Sequence, residues 1–138
     1  IDCNREADHE TLVPAVSDKI FIPGNTGLTH EAIATRRQAY YEPFHQACDH
    51  IISGQLKAGE IPIIIGMHSF THIMNGFVRP WQIGFLWNKD PRLAEAMMGL
   101  MERETDLTIG NNEPYSGKDL YYTMNRHGAA HGGGALIR

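Results

Sequence analysis

At 138 residues, 42% of them hydrophobic, the chain can bury a real core, but it is expected to form at most one domain and is short for a complete doubly wound enzyme. The 12 Lys and Arg against 16 Asp and Glu leave a net charge of -4, which excludes the basic stripe that a nucleic-acid backbone requires. No apolar run approaches the roughly 18 to 20 residues that span a bilayer, so the chain reads as cytoplasmic with no membrane partner.

In chain order, Ile1-Asp2-Cys3 runs at once into Asn4-Arg5-Glu6 and reads as the tail of a strand cut at its beginning. Cys3 and Cys48 sit in different contexts, and both are expected to be reduced thiols. Residues 6–27 are polar and turn-rich, with only Ile20-Phe21-Ile22 as an apolar anchor. A loop of roughly 20 residues is uncommon unless functional, so this one is expected to cover a site. Thr29 is a plausible N-cap with Glu31 in the first turn, and apolar residues from Ile33 to Leu56 keep helical spacing. Pro43 should kink that helix or split it near Tyr41.

Ile61-Pro62-Ile63-Ile64-Ile65-Gly66-Met67 is an apolar run rich in β-branched side chains, read as a strand buried on both faces of a parallel sheet. Ligands bind such sheets beyond the carboxyl ends of the strands, where His68 and Ser69 fall. Ile83-Gly84-Phe85-Leu86-Trp87 gives a second strand. Asp90 and Pro91 then mark the start of a helix running to about Glu104. The methionines of that helix read as core filler. Leu107 to Gly110 is a brief strand, residues 111–134 are polar and glycine-rich with an ambiguous helical turn around Leu120 to Arg126, and Ala135 to Arg138 begins another strand. The alternation of strands and helices predicts a three-layer α/β/α arrangement with a mainly parallel sheet.

His68 follows the central strand directly, where its imidazole fits either a zinc ligand or a histidine hydrogen-bonded to a neighbouring loop. His72 is four residues on, but Asn75-Gly76 and Pro80 argue against a helix that would bring the two together, so it is not expected to ligate. His127 and His131 lack the glutamate of a zincin motif and read as a solvated loop. Gly132-Gly133-Gly134 has no accompanying nucleophile elbow, which disfavours a serine hydrolase, and no phosphate-cradling loop opens a helix. Arg5 and Arg79 stand at the ends of predicted strands, where a guanidinium either clamps a carboxylate or makes a surface ion pair. Glu113 and Tyr115, just past another strand, suit acid/base work or substrate contact, and a turn with a capping Glu fits as well.

Taken together, Asp2-Cys3-Asn4-Arg5, Ser17-Asp18 with Ile22-Pro23-Gly24-Asn25, His68-Ser69-Phe70-Thr71, Arg79-Pro80-Trp81-Gln82-Ile83-Gly84, Asn112-Glu113-Pro114-Tyr115-Ser116-Gly117 and Arg126-His127-Gly128 resemble the N-formylglutamate amidohydrolase family. The resemblance implies a carboxypeptidase-like fold over one domain, residues 1–138, cut short at both ends. It implies zinc-dependent hydrolysis of the amide of a small N-formyl or N-acyl acidic amino acid such as N-formylglutamate. By the same resemblance His68 is a zinc ligand, Asn4 and Arg5 bind the substrate carboxylate, Arg79 and Tyr115 line the substrate pocket, and Glu113 is catalytic. Three departures stand against it. The family's other metal motif is expected upstream of Ile1, a Glu-Ile-Arg stretch is replaced by Leu136-Ile137-Arg138, and His72 stands where proline is usual. A zinc centre needs three protein ligands and an open position, so the alternative expectation is a catalytically incomplete binding module that retains the carboxylate clamp.

Overall fold

A computed structural model of the chain describes residues 1–104, 106–118, 121–128 and 136–137. It divides into two compact units, Ile1–Pro62 and Ile63–Arg138.

In the first unit, Ile1 and Asp2 lie outside any strand and lead into a turn at Cys3 and Asn4, in place of the expected strand. The Asp2 side chain accepts the Asn4 N–H at 2.9 Å and the Asp2 N–H donates to the Leu12 carbonyl at 2.8 Å, so local polar bonds displace an extended backbone. A short antiparallel hairpin follows, β1 (Val16–Ser17) and β2 (Ile20–Phe21). Asp18 and Lys19 both take positive φ, 46° and 63°, the turn whose twist matches that of paired strands. The segment from Pro14 to Asn25 is pinned to the first helix: Arg36 donates to the Asn25 side chain and to the Gly24 carbonyl, both at 2.7 Å, and Asn25 donates to the Pro14 carbonyl at 2.8 Å.

The long predicted helix is present in three pieces, α1 (His30–Arg36), a π turn (Arg37–Tyr41) and α2 (Glu42–Lys57). Thr29 caps it, its hydroxyl accepting the Ala32 N–H at 3.1 Å. The break falls where Pro43 was expected to cause it. Pro43 has no N–H to donate, and the wider π turn, closed by the Glu42 N–H on the Arg37 carbonyl, leaves it in the first turn of α2, where none is needed. Tyr41, His45 and Ile52, at helical spacing, form the buried face of this region. Gly59, at φ 79°, ends it.

The stretch from Ile61 to Met67 corrects the sequence reading most sharply. It is neither helix nor strand, and among the described residues it forms no strand pair. Exposure alternates along it: Ile61 is 87% and Met67 83% exposed, whereas Ile64 packs on the cluster of Leu86, Tyr121 and Met124. An unbroken apolar run had suggested burial on both faces, yet among the described residues only one face finds a partner, and Pro62 removes one of the donors a ladder would use.

In the second unit a two-residue Asn75-Gly76 turn, φ 52° and 82°, joins β3 (Ile73–Met74) to β4 (Phe77–Val78). A three-stranded sheet holds β5 (Ile83–Leu86) between β6 (Ile109–Asn111) and β7 (Leu136–Ile137). The expected parallel pairing is met by β5 and β6, in register Ile83 to Ile109; β7 runs antiparallel to β5, as do the two hairpins within themselves. Helices α3 (Arg92–Glu104) and α4 (Tyr122–His127) complete the unit. Adjacent residues of a strand face opposite ways, so β5 is the strand buried on both sides. Phe85 packs with Ala94 and Met98 of α3, and Leu86 with Tyr121 and Met124. No helix of the described residues is long and apolar enough to cross a membrane.

Asp90 starts α3 as expected, its carboxylate accepting the Arg92 N–H at 3.1 Å and pairing with the Arg92 guanidinium at 2.6 Å. Those bonds to Arg92 lower its pKa to about 2. Because the folded value lies below the unfolded one, the contribution of this cap is complete above the usual carboxylate range and is lost as pH falls toward about 2. An NMR titration is expected to show an Asp90 carboxyl midpoint near about 2, returning toward about 3.9 in Arg92→Ala.

Candidate active site

The loop after β6 is locked onto β5 by one amide and three glycines. Asn112, at φ 54°, uses its side-chain oxygen to accept the Trp87 N–H at 2.9 Å and the Gly117 N–H at 3.1 Å, while its own N–H donates to the Phe85 carbonyl at 2.8 Å. A Cβ at Gly84 would fall on the Glu113 carbonyl, and one at Gly117 on the Trp87 backbone. At Gly110 it would lie 2.8 Å from the Glu113 Cβ and 3.1 Å from the Trp81 ring. The missing side chains therefore set where Glu113 sits. Glu113 is half-buried, and its carboxylate forms no ion pair or hydrogen bond among the described residues.

Arg79 is the electrostatic centre of this unit. It is only 5% exposed, and its guanidinium donates to the Thr71 carbonyl at 3.0 Å, to the Thr71 hydroxyl at 3.3 Å and to the Met74 sulfur at 3.0 Å. The Tyr115 ring lies 4.7 Å from it and the Phe70 ring 5.9 Å, both as cation–π partners. No carboxylate pairs with it among the described residues. A buried charge is costly without a counter-ion, and neutral acceptors and ring faces offset only part of that cost.

Phe70 also lines a cavity of about 590 Å³, together with His68, His72, Trp81, Gln82 and Met97. The His68 Nδ1 is 2.7 Å from the Ser69 carbonyl oxygen. A carbonyl only accepts, so Nδ1 carries the hydrogen and Nε2 is the lone-pair nitrogen, the arrangement usual in a metal-binding histidine. His68 thus fits zinc as a single ligand. A complete centre is a different matter, because no group of three His, Cys, Asp or Glu side chains able to hold a metal occurs among the described residues.

The unit thus gathers Arg79 and Tyr115 around one guanidinium, with His68 on the adjoining cavity and Glu113 on the loop that Gly84 and Gly110 admit. Asn4 and Arg5 belong to the first unit. There the Arg5 guanidinium donates to the Thr11 hydroxyl at 3.0 Å and the Asn4 carbonyl at 2.8 Å, and pairs with Asp2 at 3.2 Å. Phe70, Trp81 and Gln82 carried no assigned role in the sequence, although all three lie within the motifs quoted above. His72 shares the His68 cavity although the segment is not helical. His127 corrects another expectation: it is buried at the end of α4 rather than solvated, while His131 and Gly132 to Gly134 lie outside the described residues. Neither cysteine is in a disulfide, and burial, then the Asp2 charge, raises the pKa of Cys3, which makes it a poor nucleophile.

Comparison with solved structures finds the gene product Atu2144 of Agrobacterium tumefaciens, 33% identical, with a TM-score of 0.90 over 99% of this chain. The chain spans 54% of that protein's length. Comparison with curated proteins gives no match. A family profile described as N-formylglutamate amidohydrolase matches residues 1–136, nearly every position including all six site residues argued above, and the chain belongs to that family.

Proposed function

We propose that the chain is part of a zinc-dependent amidohydrolase that cleaves N-formylglutamate, or a closely related N-acyl acidic amino acid, into the free amino acid and the acid. The observation that carries this reading is the buried Arg79, a cation lacking a carboxylate partner among the described residues and standing next to the cavity that His68 lines. Such a group calls for an anionic ligand. In the proposed reaction Arg79, with Tyr115 over its guanidinium, takes a substrate carboxylate, and Arg5 with Asn4 is a carboxylate binder of the first unit. Holding the carboxylate orients the acyl carbon for attack. Glu113 accepts a proton from the attacking water and delivers it to the departing amine. His68 would hold zinc through Nε2, and zinc when bound supplies carbonyl polarisation and an acidified water. We assign the parallel pair to a three-layer, carboxypeptidase-like α/β/α fold.

A second reading, a binding module that keeps the carboxylate clamp without turnover, is favoured by the lack of a three-ligand group among the described residues. Metal analysis and formate release separate the two. The first reading expects stoichiometric zinc and formate from N-formylglutamate, both reduced at least roughly 100-fold in His68→Ala, the upper end of what supporting residues of metal sites cost. Saturable binding without zinc or formate, abolished in Arg5→Ala, establishes the module instead. A protein that neither binds nor cleaves the compound overturns both.

A further inference from the structure

We propose that Tyr41 is a positioning residue for Arg5, delivered by the π turn so that its hydroxyl fixes the backbone of the carboxylate clamp. The inference rests on the reading of Arg5 as a carboxylate binder and adds what holds it. Tyr41 ends the π turn, is 2% exposed, and donates its hydroxyl hydrogen to the Arg5 carbonyl at 3.0 Å. His45, one turn on and 1% exposed, meets the Tyr41 ring edge-on with centroids 4.4 Å apart, so the phenol is held in place by packing. A buried phenol needs a partner, and this one finds it on a residue far away in the chain.

The other contacts of Arg5 point the same way. Thr11 takes the Nε hydrogen, the Asn4 carbonyl one hydrogen of Nη1, and Asp2 faces Nη2. With five N–H groups on a guanidinium, one on each terminal nitrogen has no partner among the described residues and remains for a ligand. Backbone and side chain are therefore both tethered while donors are kept in reserve. That is what a clamp requires, since a fork free to swing would spend binding energy on being ordered.

The test uses Tyr41→Phe, which removes one oxygen and keeps the ring, in the purified protein, with N-formylglutamate as the probe. Steady-state kinetics and calorimetric binding are expected to show KM and Kd raised roughly 10-fold, the size of one lost hydrogen bond, with kcat within about two-fold of wild type. In an Arg5→Ala background the same substitution is expected to add no further loss. Thr11→Val, which leaves the buried phenol untouched, is expected to raise Kd as well. If Arg5→Ala weakens binding but Tyr41→Phe leaves Kd unchanged, or raises it by the same factor in both backgrounds, Tyr41 is structural only and the inference fails. If Arg5→Ala itself leaves Kd unchanged, the reading of Arg5 fails and this inference falls with it.

Discussion

Gly84→Ala is expected to destabilise the second unit by about 3 kcal/mol or more, beyond the usual range for a single added methyl group, because the new Cβ meets a backbone carbonyl rather than a flexible side chain. The carbonyl belongs to Glu113, so any relief of the clash displaces the proposed proton acceptor. Turnover should therefore fall further than the loss of folded protein accounts for. The same substitution at Gly99, in α3 with nothing near its absent Cβ, is expected to stabilise by about 0.5–1 kcal/mol through helix propensity. Urea unfolding of the two variants side by side checks the sign. A Gly84→Ala protein as stable as wild type would mean that the loop is not held against β5 in solution.

Arg79→Met is expected to raise KM for N-formylglutamate roughly 100-fold, corresponding to about 3 kcal/mol for a desolvated charge pair broken from one side. Because methionine resembles the aliphatic stem of arginine and removes an unpaired buried charge, the variant should fold at least as well as wild type. Arg79→Lys should not restore binding. A compact ammonium lacks both the planar face that stacks on Tyr115 and the fork that reaches Thr71 and Met74 together. Equal KM values in wild type and Arg79→Met would show that the guanidinium serves only to hold the Thr71 backbone.

What the sequence announced correctly was written in local chemistry. Thr29 and Asp90 cap the helices they were expected to cap, and the strand at Ile83 lies within one residue of its predicted end, because capping and short apolar runs are decided by near neighbours. The Asn75-Gly76 pair was also a local signal: it argued against a helix there, and it is the turn of a hairpin. The run from Ile61 to Met67 misled because hydrophobicity alone does not supply a hydrogen-bonded neighbour. For the candidate site, residue types pointed to His68, Arg79, Glu113 and Tyr115. Their environments were not legible. The burial of Arg79 depends on Tyr115, far along the chain, and the seating of the loop that carries Glu113 depends on atoms that Gly84 and Gly110 do not have.

The π turn between α1 and α2 amounts to an ordinary helix carrying one additional residue. Deleting a single position between Arg37 and Tyr41 would restore a uniform spiral, but everything beyond it would swing by roughly 100° about the axis and back up by about 1.5 Å. Tyr41 and Ile52 would then leave the interior together, and Pro43 would face a ladder it cannot join. A length change of one residue here is thus far more disruptive than most substitutions, and this short segment should tolerate exchanges of side chain much better than gain or loss of a residue.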